Sequence, residues 1–340
     1  MRLNDRAAEL ANAIGADAAL LRIEAGEVSG CKVYDLGVSA PGGLEAGRRM
    51  AEACLSGLGN VTIAEADPTV CRGPAVVVRT DHPVAACMAS QYAGWQVSAG
   101  GYAAMASGPM RAAAAHEPLF AEPAFVAIAK RERGGPCVGV LEASELPGAG
   151  VCKQIADRCG VGLPMLTLLV APTDSQAGSV QVVARSVETA MHKLHELGFD
   201  LTRVESGWGA APLPPVAGDA FSGIGRTNDA VLYGGHAVLY VRGDDESISA
   251  IGPRAPSSAS PDHGRPFQEV FKAHGDDFYE IDPLLFSPAV VTFVNLDTGA
   301  THRFGRYEPA VIAESFGYGG DRDSWPYKPA DSGSPSAGGS

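Results

Sequence analysis

Four polar side chains share one stripe. At about 100° per residue, Gln181, Arg185, Glu188 and His192 fall on the same side of a helical pattern. Arg185 and Glu188 are three apart, so the guanidinium can reach the carboxylate. A carboxylate beside a fixed cation can accept a proton from water while the cation orients an oxygen. The same two residues also make an ordinary ion pair on a solvated face. Position favours chemistry, because the stripe begins just beyond a strand's carboxyl end, where open α/β sheets bind ligands.

Other polar groups are weighed the same way. Arg226, Thr227, Asn228 and Asp229 lie just before an apolar run. They read either as turn chemistry or as a carboxylate and amide that could bind the amino and ring N–H groups of a ligand's edge. Glu142 and Glu145 read as paired carboxylates or as helix-start charges ahead of Pro147. The stretch from Gly100-Gly101 to Gly108-Pro109 feeds a helix over 110–115, whose free N–H groups suit an anion or carbonyl; a plain tight turn fits equally. It matches neither the Walker nor the dinucleotide fingerprint, which argues against a nucleotide site. His192 and His195 stand about one turn apart with no third ligand at zinc spacing, so no metal site is expected. Ser175, Ser179 and Cys87 have no neighbouring base in sequence and make no case as nucleophiles.

The elements that must position these groups centre on residues 166–197. An apolar run over 166–171 has the length of a buried strand. A loop over 172–179 follows, with Thr173 and Gln176 at capping-box spacing. Val180, Val183, Ala184, Val187, Met191 and Leu194 then trace one apolar stripe along a helix. An earlier segment has the same plan. A strand at 75–79, the loop TDHP (80–83), a helix at 84–92, Gly94 and a strand at 95–98 match 166–171, Thr173-Asp174, the helix, Gly198 and a strand at 200–204. Two βαβ units are expected, each right-handed with parallel strands. Elsewhere the pattern predicts a hairpin within 18–38 turning near 25–27, helices at 45–56, 150–159 and 266–274, and strands at 61–64, 126–129, 137–141, 230–233 and 237–241. It also predicts a surface loop at 247–261 and a hairpin of 290–296 with 301–304 around Asp297-Thr298-Gly299. Residues 319–340, rich in Gly, Ser and Pro, are expected to be disordered.

Composition limits the function classes. At 340 residues, two domains are expected. The net charge of −13 and the absence of any Lys/Arg run argue against nucleic acid. No apolar run approaches the roughly 20 residues of a membrane span, and the N-terminus lacks the apolar core of a secretory signal. Seven scattered cysteines without a CxxC read as reduced thiols of a cytoplasmic protein.

Several long strings carry a resemblance: APGGLEAG (40–47), TDHP (80–83), AGWQV (93–97), LEASELP (141–147), LLVAPT (168–173), GSVQVVARSVET (178–189), GRTNDAVLYGG (225–235), IDPLLFSPA (281–289) and ESFG (314–317). From about residue 33 to 317 the chain resembles the methenyltetrahydromethanopterin cyclohydrolase family. The resemblance implies an α+β fold of two α+β domains with mixed sheets, a cleft between them holding the active site, and assembly as a homotrimer. The expected division groups 1–72 with 236–318, sets 73–235 apart as the domain carrying Arg185 and Glu188, and leaves 319–340 as a tail. The implied reaction hydrolyses the methenyl bridge of a tetrahydromethanopterin derivative to its 5-formyl form, with no prosthetic group. It makes Glu188 and Arg185 the functional pair. Gln181, Ser98, Gly108, Arg226, Thr227, Asn228 and Asp229 are candidate substrate contacts. The chain departs from the family pattern in its tail and in Asp174 and Gln176. The rival reading is a pterin-binding or storage protein without catalysis.

Overall fold

The computed structural model describes residues 2–275 and 280–318. The tail expected to be disordered lies outside them. Two mixed sheets of six strands each carry the fold. The strands are β1 (Glu24–Val28), β2 (Cys31–Asp35), β3 (Gly59–Glu65), β4 (Pro74–Thr80), β5 (Trp95–Ala99), β6 (Tyr102–Ser107), β7 (Cys137–Glu142), β8 (Leu166–Ala171), β9 (Val204–Pro212), β10 (His236–Val241), β11 (Val290–Asn295) and β12 (Thr301–Gly305). The first sheet runs β1-β2-β8-β7-β6-β5 and the second β12-β11-β10-β9-β4-β3. The helices are α1 (Leu3–Ala16), α2 (Ala18–Leu21), α3 (Leu44–Cys54), α4 (Met110–Ala114), α5 (Pro123–Arg131), α6 (Ala149–Cys159), α7 (Gln176–Val183), α8 (Ser186–Glu196), α9 (Ala220–Gly234), α10 (Asp245–Ile251), α11 (Phe267–Ala273) and α12 (Pro309–Ser315). A π-helical segment spans Val84–Gln91.

The first sheet is covered on both faces. Leu166, Leu168 and Val170 of β8 pack with Cys152 and Ile155 of α6. Leu169 and Ala171 face the other way, into the cluster that holds Ala7 and Ile14 of α1 and Met50 of α3. That double burial explains why β8 reads as an unbroken apolar run. In the second sheet, α8 packs on β9 and β10. Two glycines permit this contact. A Cβ at Gly207 would stand 2.6 Å from Val187 Cγ1, and one at Gly209 would overlap Ser186 Oγ.

The α+β class and mixed sheets agree with expectation. The sheet pairing, however, runs across the expected division of the chain. β1 and β2 join β8 and β7, while β3 and β4 join β9 to β12. The two strand–helix–strand units are also not parallel crossovers within one sheet. β4 lies in the second sheet and β5 in the first, whereas β8 lies in the first and β9 in the second. Each unit therefore passes between sheets, in opposite directions, and the handedness rule has no purchase on it.

Local departures have local causes. Residues 230–233 belong to α9, capped where Asp219 accepts from the Ser222 N–H at 2.8 Å. Ala230, Val231, Leu232 and Tyr233 are all buried, and a helix buried all round looks like a strand in sequence. Residues 126–129 are helical because Pro123 opens α5. The surface loop expected at 247–261 is instead the end of α10, capped by Asp244, followed by two 3-10 turns, and Ile248, Ala255 and Ser257 within it are buried. The first hairpin turns at Ser29-Gly30, both at positive φ, and 18–21 is helical. The strand expected at 200–204 begins at Val204 and runs to Pro212.

Candidate active site

The helix carrying the polar stripe is two helices. α7 ends at Val183, Ala184 and Arg185 leave helical geometry, and Arg185 becomes the residue before α8. The start of α7 also differs from the expected capping box. Ser175 caps it by accepting from the Gly178 N–H at 3.0 Å. Thr173 instead donates to the Ala220 carbonyl at 3.3 Å. Gly178 is required there, since a Cβ would collide with the Pro172 carbonyl.

The break is closed from another part of the chain. Gln91, at the end of the π-helical segment, donates through Nε2 to the Ala184 carbonyl at 3.0 Å. Arg185 returns the contact, donating through Nη1 to the Gln91 carbonyl. Arg185 Nη2 donates to Gln181 Oε1 at 2.8 Å, Ser107 Oγ at 3.0 Å and Glu142 Oε1 at 3.0 Å. Two N–H groups thus serve three acceptors, so one is shared. Gln181 also donates to Glu142 Oε1, at 3.0 Å. The guanidinium is thereby fixed to the ends of β6 and β7, both in the first sheet, while Ser186 and Val187 sit on the second.

The stripe is not a solvated face. Gln181 is 0% exposed, Arg185 5% and Glu188 4%, which removes the surface ion-pair reading. Among the described residues the nearest cation to the Glu188 carboxylate in an ion pair is Arg185, whose Nη1 stands 4.0 Å away, beyond hydrogen-bond range. Burial pushes its carboxyl up to about 7, against the pull of the Arg185 and Arg111 cations and with a further push from Glu142. The ring of His192 stacks on Tyr92 with centroids 4.6 Å apart, and burial pushes its imidazole down to about 4. His192 is therefore neutral at pH 7, a flat wall rather than a charge.

The other candidates fall in different places. Gly108 directly follows Ser107; its φ is +90°, and its N–H donates to the Ser90 carbonyl at 2.8 Å. Ser98 is exposed on β5, the edge strand, opposite Ala103. Arg226, Thr227, Asn228 and Asp229 lie within α9, not at a strand entrance. Arg226 donates to the carbonyls of Ser315, Pro215 and Val216. Thr227 and Asn228 bond carbonyls one turn back. Asp229 accepts from the Phe267 N–H at 2.8 Å and the Ser315 hydroxyl at 2.6 Å. Arg226 and Asp229 tie α9 to its neighbours, Thr227 and Asn228 bond only within it, and among the described residues no hydrogen bond joins the four to Arg185. His195 pairs with Glu122 at 2.7 Å. Gln91, Tyr92, Ser107 and Arg111 were not singled out in the sequence, and Glu142 was noticed only as half of another pair. Only the polar Gln91 closing an apolar helix offered a local signal.

A buried Glu–Arg pair, with the carboxylate unbridged and titrating near neutrality, can take a proton from a water beside a fixed cation. Comparison with known proteins converges on one chemistry. The family model described as Cyclohydrolase (MCH) matches residues 2–316, so the match takes in α1 as well as the strings that begin near residue 33. The methenyltetrahydromethanopterin cyclohydrolase of Rhodopirellula baltica is 49% identical over 293 residues, 85% of this chain and 87% of that protein. That of Methylobacterium sp. (strain 4-46) is 45% identical over 319 residues, 92% and 97% of the two chains. That of Methanospirillum hungatei is 42% identical over 290 residues, 85% and 90%.

Proposed function

Since the chain belongs to the methenyltetrahydromethanopterin cyclohydrolase family and has its activity, we propose that Glu188 deprotonates the water that opens the methenyl bridge and that Arg185 orients it. The methenyl carbon lies between two nitrogens in an amidinium-like cation and is already electrophilic. Water adds to it and gives one proton to Glu188. The resulting hydroxyl adduct collapses with cleavage of one C–N bond: its O–H proton is lost as the oxygen becomes the formyl carbonyl on N5, the released nitrogen takes up a proton, and the one proton left on Glu188 is the net proton released. This needs a placed water and a base, and calls for neither metal nor covalent nucleophile. Gln181 and Gly108 stay with the site in this reading, Gln181 through its bonds to Arg185 and Glu142 and Gly108 through the turn after Ser107. The homotrimer and the cytoplasmic setting belong to the same reading. The seven cysteines, all unpaired and buried, suit a reducing compartment.

One observation carries the assignment: Glu188 is buried, stands 4.0 Å from Arg185 beyond hydrogen-bond range, and is pushed to about 7. Glu188→Gln keeps the shape and removes the base. Its kcat should fall by roughly 10²–10⁴ while the methenyl substrate still binds. Near-normal turnover in a folded variant would end the general-base role.

A further inference from the structure

Arg185 faces two carboxylates, and it bonds the one that the sequence pairing does not suggest. Its Nη2 lies 3.0 Å from Glu142 Oε1, whereas its nearest approach to Glu188 is 4.0 Å. Glu142 is fixed by its place at the end of β7, opposite Met105 of β6 and Ala171 of β8. The same Oε1 also accepts from Gln181 Nε2 at 3.0 Å, and Gln181 Oε1 accepts from Arg185 Nη2 at 2.8 Å. Glu142, Gln181 and Arg185 thus close a three-membered ring of hydrogen bonds on the side of the guanidinium that Ser107 also holds. Glu188 is left outside it.

We propose that Glu142 is a positioning residue: it engages the Nη2 hydrogens of Arg185, so that Glu188 stays 4.0 Å from the guanidinium, outside hydrogen-bond range and free to accept a proton. The proposal rests on Glu188 being the base, and it adds the device that keeps that base from being tied up. A carboxylate hydrogen-bonded to a guanidinium becomes a weak base, so a site with a single Glu would lose either its cation or its basicity. A second carboxylate resolves the conflict.

The groups that bear on Glu188 come from every side. Arg185 precedes α8, Arg111 lies on α4, Glu142 closes β7, and Cys87 and Tyr92 lie in and just after the π-helical segment. His192 follows on α8, stacked on Tyr92. Both cations favour the ionised form of Glu188 and Glu142 opposes it. Glu142 is the one of these that also hydrogen-bonds Arg185, so removing its charge shifts the balance toward the cations.

The test is Glu142→Gln, which keeps the shape and a carbonyl acceptor, with Glu142→Asp as a variant that keeps the charge. The titration of Glu188 would be followed without substrate, by carboxyl infrared or ¹³C spectra, using Glu188→Gln to assign the signal. The pH profile of kcat/KM would be measured alongside. Glu142→Gln should move the Glu188 titration down by about one pH unit, move the acid limb of kcat/KM with it, and slow the plateau rate. Glu142→Asp should hold both near their original pH. A Glu188 titration unmoved in a folded Glu142→Gln protein overturns the proposal, whatever happens to the rate. If the titration moves and the acid limb does not, Glu142 acts as proposed and it is the general-base role of Glu188 that fails.

Discussion

Arg111 and Arg185 are both buried beside the π-helical segment, and the fold treats them in opposite ways. Arg111 is 0% exposed, and each of its three nitrogens has a hydrogen-bond partner. Its Nε and Nη2 grip both oxygens of Glu117, its Nη1 donates to the Met88 and Ser90 carbonyls, and its cation lies 4.8 Å from the centre of the Tyr92 ring. Arg185 has no bidentate partner. It spreads its donors over a backbone carbonyl, a hydroxyl, an amide and one oxygen of Glu142, and its buried Nε is without a partner among the described residues. A bidentate guanidinium–carboxylate pair leaves neither group free for other work. The difference separates a pair that holds the π-helical segment in place from one kept available for chemistry.

The comparison can be broken at several points. Glu117→Ala leaves Arg111 buried and unpaired. It should cost about 3–5 kcal/mol of stability, measured by urea unfolding, because removing one partner strands the other charge. If it unfolds like the wild type, Arg111–Glu117 is no structural clamp. Arg185→Ala should lower kcat by roughly 10²-fold, as expected for loss of a cation aimed at a reacting oxygen. Combined with Glu188→Gln it should be little worse than the worse single variant, because the two act as a unit. Additive losses in kcat would show two independent contributions instead.

Smaller effects sharpen the same contrast. With Glu188 near 7 in the free enzyme, kcat/KM should fall about tenfold per pH unit below that point, since protonation removes the base. The bound substrate is a cation and favours the carboxylate, so the acid limb of kcat should lie at lower pH than that of kcat/KM. Coincident limbs would argue against contact between Glu188 and the cationic centre. Ser107→Ala should change kcat only a few fold, for a hydrogen bond worth about 0.5–1 kcal/mol, because Arg185 Nη2 retains Gln181 and Glu142.

Much of the scaffold was legible before the structure. β8, β7, α3, α6, α11 and the β11–β12 hairpin follow from apolar runs, periodicity and the Asp297-Thr298-Gly299 turn. Arg185 and Glu188 were also legible as one stripe. Their burial was not, since a polar stripe reads the same whether it faces water or other polar groups. The break at Ala184-Arg185 was hidden because Val183, Ala184 and Val187 keep helical spacing through it. Gln91 and Ser107 act on Arg185 from 94 and 78 residues away, and nothing local marks Ser107, while Gln91 stands out only as a polar residue closing an apolar helix. Glu142 is the instructive miss. Five residues ahead of Pro147 it resembles a helix-start charge, and only the ladder between β7 and β8 brings it to α7.

The passage of the chain between sheets has a bearing on how the protein assembles. β2 waits for β8, whose partner residues lie some 135 positions later, as with Lys32 and Thr167. β4 waits just as long for β9. β9 follows β8 through α7 and α8, so this one stretch supplies the strand that joins β2 to β7 in the first sheet and the strand that joins β4 to β10 in the second. During synthesis the first sheet cannot close before β8 (Leu166–Ala171) has emerged, nor the second before β12 (Thr301–Gly305), and pairings this distant in sequence are slow to form. Folding and heat unfolding should then each proceed as one cooperative event, a single calorimetric transition in place of two. Arg185 and Glu188 lie in the segment that leads from the first sheet to the second, so the active site forms only once strands from distant parts of the chain have paired.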